Sequence, residues 1–242
     1  VSINQENSSA QKGETLEDTV RMLESYADVV ALRHPTAGAA DLAASVLSRM
    51  PLLNAGDGGG EHPTQALLDL FCIHRRFGSL REPLTVTLLG DLKFGRTVHS
   101  LAQMLSHFPN FKLNLVSPKN LQMPQQYTDL LQSRNCKFQL LDELDRVLPT
   151  TDVLYQTRVQ KERFTDPEEY QRSKGVFVVT PATMAKMPKT SILMHPFPRV
   201  DEITEDVDSD PRAMYFKQPI FGLRVRMALL ALLMGADIPK KP

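Results

Sequence analysis

Short apolar runs alternate with amphipathic stretches along the whole chain, and this alternation constrains the fold more than any other feature. Residues 28–32, 51–53, 84–89, 112–116, 152–156, 176–179 and 191–194 read as buried strands, each a short aliphatic run bounded by polar or turn residues. Residues 15–27 read as a helix with Leu16, Val20 and Leu23 on one face, capped by Thr15 and Asp18. Further helices are predicted over 37–47, 63–77 and 222–234, the second ended by Gly78 and the last strongly apolar. Parallel neighbours need crossovers, which helices usually supply, so this order predicts an α/β fold. With 242 residues, two lobes fit better than one. Residues 1–63 with 223–242 are expected to form one lobe and residues 64–222 the other, each a parallel sheet flanked by helices. The helix at 63–77 would join them, and the last helix would return to the first.

Charge narrows the function. Lys and Arg number 28 and Asp and Glu 28, so no global field favours nucleic acid or a membrane surface. Positive charge for an anionic ligand must therefore be gathered locally. No apolar run approaches a membrane span, and the polar start does not read as a signal peptide. Cys72 and Cys136 lie far apart with no CxxC pair, which suits free thiols in the reducing cytoplasm. Val1 in place of an initiator Met suggests a processed product, a trimmed chain or one domain of a longer protein.

Parallel α/β sheets bind ligands beyond the carboxyl ends of their strands. Unusual polar residues recur at that position here: Arg33-His34, Asn54 to Gly58, Asp91 to Arg96, Thr157 to Gln160, and His195 to Arg199. A lone arginine is usually a solvated surface charge. Repeated at strand ends, arginines suit carboxylate or phosphate, because the planar guanidinium forms paired charge-assisted hydrogen bonds. His62 and Gln65 flank Pro63 and Thr64 at a helix start, where free N–H groups favour an anion, although simple capping would also explain them. Arg158 and Gln160, two apart on an extended segment, can face one ligand, whereas Lys161, Glu162 and Arg163 read as a solvated loop. Gly90, Gly95, Arg96 and Thr97 have P-loop spacing, but Arg96 stands where that motif needs lysine, so a nucleotide hydrolase is the alternative. No GxSxG elbow or HExxH helix occurs, and the scattered histidines give no support to a metal site. His99 and His107 read as helix surface.

Together these motifs resemble the aspartate carbamoyltransferase family. Lys12 to Thr15, Arg33 to Pro35, Asn54 to Gly58, Glu61 to Asp69, Gly90 to Ser100, Thr157 to Arg163 and His195 to Glu202 carry the likeness, in the family's order. The wording is most similar to the domain found in multifunctional pyrimidine-pathway proteins of animals and fungi, which would make fusion to upstream domains expected. By that resemblance, Arg33 and His62 are catalytic and, with Gln65 and the backbone of Phe197 and Pro198, contact carbamoyl phosphate. Arg96, Arg158, Gln160 and Lys12 would contact L-aspartate. Ser9 and Lys12 would enter the site of a neighbouring subunit in a homotrimer. No cofactor or metal is implied. The family's Ser-Thr-Arg-Thr-Arg phosphate motif is absent, its N-terminal third is missing, and the first lobe is expected to be incomplete and this stretch alone inactive. Phe197 departs from the family's usual Leu or Met, and Gln218 to Gly222 is less polar than usual. Ornithine carbamoyltransferase, a relative, is disfavoured because a cationic substrate would meet Arg158. A catalytically dead binding fragment is the remaining alternative.

Overall fold

The computed structural model describes residues 9–237. The chain divides into two compact units, 1–64 with 224–242 and 65–223. In the first unit, α1 (Leu16–Leu23), β1 (Val30–His34), α2 (Ala39–Val46) and β2 (Leu52–Asp57) succeed one another. Thr15 caps α1, its hydroxyl accepting the Asp18 N–H at 3.1 Å. β1 and β2 pair in parallel as a two-stranded sheet, with a register shift between Leu32 and His34. So short a sheet buries little apolar surface by itself, and Met22, Tyr26 and Leu42 stay exposed in this unit.

The second unit begins within α3 (Pro63–Phe77). It continues through β3 (Leu84–Leu89), α4 (Arg96–Leu105), β4 (Phe111–Val116), α5 (Gln125–Ser133), β5 (Lys137–Leu141) and β6 (Val153–Gln156). α6 (Pro167–Ser173), α7 (Pro181–Ala185), β7 (Ile192–Met194) and the start of α8 (Gln218–Leu233) follow. Its five strands run in the order β5-β4-β3-β6-β7, all parallel. Side chains alternate across the sheet. Val86, Leu88, Leu113, Leu115, Val153, Tyr155, Ile192 and Met194 enter one core; Leu89, Val116, Leu154 and Leu193 enter the other. Polar groups on the central strands form a bonded ladder: Gln139 donates to Asn114 at 2.7 Å, and Asn114 to Thr87 at 3.0 Å.

Several expected elements differ. Residues 176–179 form no strand; Val179 makes an isolated bridge to Ile203, and Val176 is exposed. β5 was not legible, because as an edge strand it mixes polar with half-exposed apolar residues. α1 stops at Leu23, and residues 25–27 close as turns onto Met22 and Leu23. α8 starts at Gln218, with Pro219 in its first turn, where the missing N–H costs nothing. Arg33 and His34 end β1 rather than follow it, and Asn54 to Asp57 are the last four residues of β2. His99 is not surface: it is buried, its Nε2 lies 2.8 Å from the Leu92 carbonyl, and its ring stacks on Tyr127 at 4.1 Å. His107 lies beyond the end of α4 and is exposed.

Candidate active site

From β3 the chain proceeds outward to β4 and β5, then returns to the other side of β3 as β6. The loops leaving β3 and β6 therefore diverge at a topological switch point, where open parallel sheets bind ligands. Those loops carry Asp91 to Arg96 and Thr157 to Gln160. Thr157 laces them together. Its N–H donates to the Leu89 carbonyl at 2.8 Å, and its hydroxyl accepts the Asp91 N–H at 3.1 Å. The contact is so close that only glycine fits at position 90. Its φ is +113°, and a Cβ there would stand 2.4 Å from the Thr157 carbonyl oxygen.

Asp91 is fully buried and accepts the N–H groups of Lys93, Phe94 and Gln160 at 3.2, 2.9 and 3.4 Å. Burial raises its pKa, and those amides work against the rise. This carboxylate settles the P-loop question. A P-loop spends its amides on phosphate, whereas two amides of this loop already serve Asp91. The third bond fixes the backbone at Gln160, two residues from Arg158.

Arg96 opens α4 and is half-buried; Arg158 is half-buried too. The Arg158 guanidinium faces Glu162 with both terminal nitrogens, one of them 3.1 Å from Oε2. Arg158 holds Glu162 below the usual carboxylate range, so Glu162 is paired, while Lys161 and Arg163 are exposed as a solvated loop would be. A cavity of about 240 Å³ opens beside Arg158, bordered by Thr157, Lys161, Lys174 and Glu202.

Beyond β7, His195 is buried and fixed on three sides. Its backbone N–H donates to Gln218 Oε1 at 2.9 Å, and its Nδ1 accepts the Phe197 N–H at 2.8 Å. Nε2 must then carry the proton that reaches Glu202 Oε1 at 2.6 Å. Burial pushes Glu202 upward, but the bonds from His195 and from backbone amides outweigh it, and its pKa is lowered. This brace holds Phe197 at φ +54°, a left-handed conformation that is costly for a bulky residue. The Phe197 and Pro198 side chains are exposed.

In the first unit, Arg33 is exposed at the end of β1, and His62 is half-buried immediately before Pro63. Asp57 ties the intervening turns, accepting the N–H groups of Gly38 at 3.0 Å and Glu61 at 2.6 Å. Lys12 is exposed at the end of a 3-10 turn that begins at Ser9. The second unit thus gathers Arg96, Arg158 and Gln160 at the switch point. Gln65, in α3, enters a buried network instead, its Nε2 3.0 Å from Asp69. Sequence reasoning gave no individual role to Asp69, Asp91, Tyr155, Glu202 or Gln218. Asp69 left one signal, its i+4 spacing from Gln65 on a helix. Among the described residues, no group of three or more His, Cys, Asp or Glu side chains could hold a metal ion, and no helix is long and apolar enough to cross a membrane.

Residues 82–233 match the family model of the aspartate/ornithine carbamoyltransferase Asp/Orn binding domain, and residues 1–75 that of its carbamoyl-P binding domain. The chain belongs to the aspartate/ornithine carbamoyltransferase family. It is 53% identical over 228 residues to multifunctional protein CAD of Squalus acanthias, covering 94% of this chain and 10% of that protein. It is 51% identical to the aspartate carbamoyltransferase catalytic subunit of Thermoplasma volcanium, over 94% of this chain and 73% of that subunit. Aspartate transcarbamoylase of Trypanosoma cruzi, solved with carbamoyl phosphate and aspartate, superimposes with a TM-score of 0.88 at 45% identity. That match covers 95% of this chain and 74% of the solved one. The chain thus spans about a tenth of the multifunctional relative and 73% of the catalytic subunit.

Proposed function

We propose that the protein containing this chain transfers the carbamoyl group of carbamoyl phosphate to the amine of L-aspartate, giving N-carbamoyl-L-aspartate and phosphate. The observation that carries this reading is the pair Arg96 and Arg158 at the switch point, in a chain 45% identical to a relative solved with both substrates. A dicarboxylate fits two such forks, while cationic ornithine would meet like charge. Arg158 already grips one carboxylate, that of Glu162. Aspartate would exchange for it or share it, so the guanidinium is oriented for a carboxylate before substrate arrives.

Carbamoyl phosphate is an activated acyl donor, so neither a covalent nucleophile nor a metal is required. The neutral aspartate amine attacks the carbonyl carbon, and Arg33 and His62 stabilise the charge that develops on the carbonyl oxygen. Gln65 and the backbone of Phe197 and Pro198 orient the carbamoyl NH₂. Arg96, Arg158 and Gln160 hold aspartate so that the amine approaches in line, which lowers the barrier by fixing orientation in advance. Phosphate leaves as the C–N bond forms, and its dianion can take the proton the amine sheds. Lys12, with Ser9, serves the site of a neighbouring subunit in a homotrimer. The reaction is a step of de novo pyrimidine synthesis in the cytoplasm, in a chain fused to further domains as in the multifunctional relative. Residues 1–242 alone are inactive, since the family's phosphate-binding motif is not among them.

Radiolabelled carbamoyl phosphate supplies the test, offered to the complete protein with aspartate or with ornithine. Labelled carbamoyl-aspartate is expected, with little citrulline. Citrulline in excess, or no labelled amino acid at all, refutes the reading.

A further inference from the structure

Three buried polar side chains of the second unit converge on Asp69. Its Oδ1 accepts from Gln65 Nε2 at 3.0 Å and from Gln218 Nε2 at 2.7 Å; its Oδ2 accepts from the Tyr155 hydroxyl at 2.7 Å. Asp69 and Tyr155 are wholly buried, Gln218 is 3% exposed and Gln65 9%. Direction is the informative feature. An amide has a donor end and an acceptor end that occupy nearly the same shape, so only its partners decide which way it stands. Gln65 has its Nε2 on Asp69, so Oε1 is the end left to accept. Gln218, with Nε2 on the same carboxylate, turns its Oε1 to the His195 N–H at 2.9 Å. His195 in turn anchors the Phe197 N–H at 2.8 Å.

We infer that Asp69 is a positioning residue that sets the polarity of Gln65 and, through Gln218 and His195, the seating of the Phe197-Pro198 turn, so that acceptors converge on the carbamoyl NH₂. This rests on the function proposed above. An aspartate suits the task because its carboxylate accepts from all three groups and donates to none. A leucine of similar size would offer no acceptor, and nothing would then hold either amide to one orientation.

The complete protein carrying Asp69→Leu provides the test, with carbamoyl phosphate and acetyl phosphate as paired ligands. Acetyl phosphate carries a methyl group where carbamoyl phosphate has NH₂, so it samples the rest of the site without the acceptors. Asp69→Leu is expected to weaken carbamoyl phosphate by about tenfold or more relative to its effect on acetyl phosphate, the scale of one charged hydrogen bond. In a Gln65→Ala background the same substitution is expected to shift the ratio less, since one of its two outlets is gone. A folded Asp69→Leu protein that weakens both ligands equally, or neither, overturns the inference, because a merely structural carboxylate would not distinguish methyl from NH₂. If Asp69→Leu does not fold, Gln218→Met is measured the same way. It removes one donor from Asp69 and the acceptor of the His195 N–H, a smaller shift of the same sign is expected, and an unchanged ratio overturns the inference. Wild-type protein that forms no carbamoyl-aspartate sinks the functional reading instead, and this inference with it.

Discussion

Replacing Arg158 by alanine separates the chemistry of the site from its stability. In the structure, the Arg158 side chain is 26% exposed and its partner Glu162 54% exposed, four residues away. Partly exposed pairs of this kind contribute about 0–1 kcal/mol to folding, so Arg158→Ala should melt within a few degrees of wild type. Binding is another matter. A fork that holds a substrate carboxylate away from water contributes about 2–5 kcal/mol when one partner is truncated. At about 1.4 kcal/mol per factor of ten, that is roughly 30-fold to several thousand-fold in kcat/KM for aspartate. Carbamoyl phosphate affinity should change little, since its proposed contacts are elsewhere. Steady-state kinetics with aspartate varied at saturating carbamoyl phosphate, a separate carbamoyl phosphate titration and a thermal melt measure the three quantities. An unchanged aspartate dependence in a folded protein would refute the assignment of Arg158. An equal loss of both ligands would show that the arginine supports the site as a whole instead of one substrate.

Three other outcomes are expected. Glu202→Gln should destabilise the protein by about 1.5–3 kcal/mol at neutral pH in urea titrations, because it weakens a buried charged hydrogen bond to His195. The folded-state pKa of Glu202 is lowered, so its contribution is complete above the ordinary carboxylate range and disappears as pH falls through the lowered value. The gap between wild type and variant should therefore close in acid, and a gap that stays constant counts against an ionised Glu202. Gly90→Ala should cost at least about 1–3 kcal/mol from its backbone conformation alone, with more from the Thr157 carbonyl 2.4 Å from the new methyl; a melt equal to wild type would contradict this. Finally, mixing inactive Lys12→Ala and Arg33→Ala versions of the complete protein should restore activity after subunit exchange, because some shared sites would then carry neither defect. Mixed trimers, verified with differently tagged chains, that stay inactive would rule out sharing.

Periodicity and composition were enough to read most elements, because a helix face or a buried strand leaves its pattern in adjacent residues. α3 from Pro63 to Phe77 and β3 from Leu84 to Leu89 are bounded as the sequence predicts. The arginines at strand ends and the ordered motifs pointed to the family for the same reason, since each is a local spacing. Partner choice leaves no such trace. The order β5-β4-β3-β6-β7, which puts the switch point between the loops holding Arg96 and Arg158, depends on pairings between residues dozens of positions apart. β5 escaped notice because an edge strand is only half buried and lacks a clean alternation. His99 looked like surface because a single histidine in an amphipathic helix carries no sign of a Leu92 carbonyl and a Tyr127 ring waiting for it. Asp69 is the sharpest case. It reads as an ordinary helix carboxylate, and only the folded chain brings Tyr155 and Gln218, 86 and 149 residues away in sequence, to the oxygens that Gln65 shares. Desolvation makes such a meeting consequential: once water is excluded, every buried polar group must find its partner within the protein, and those partners determine which way each amide faces.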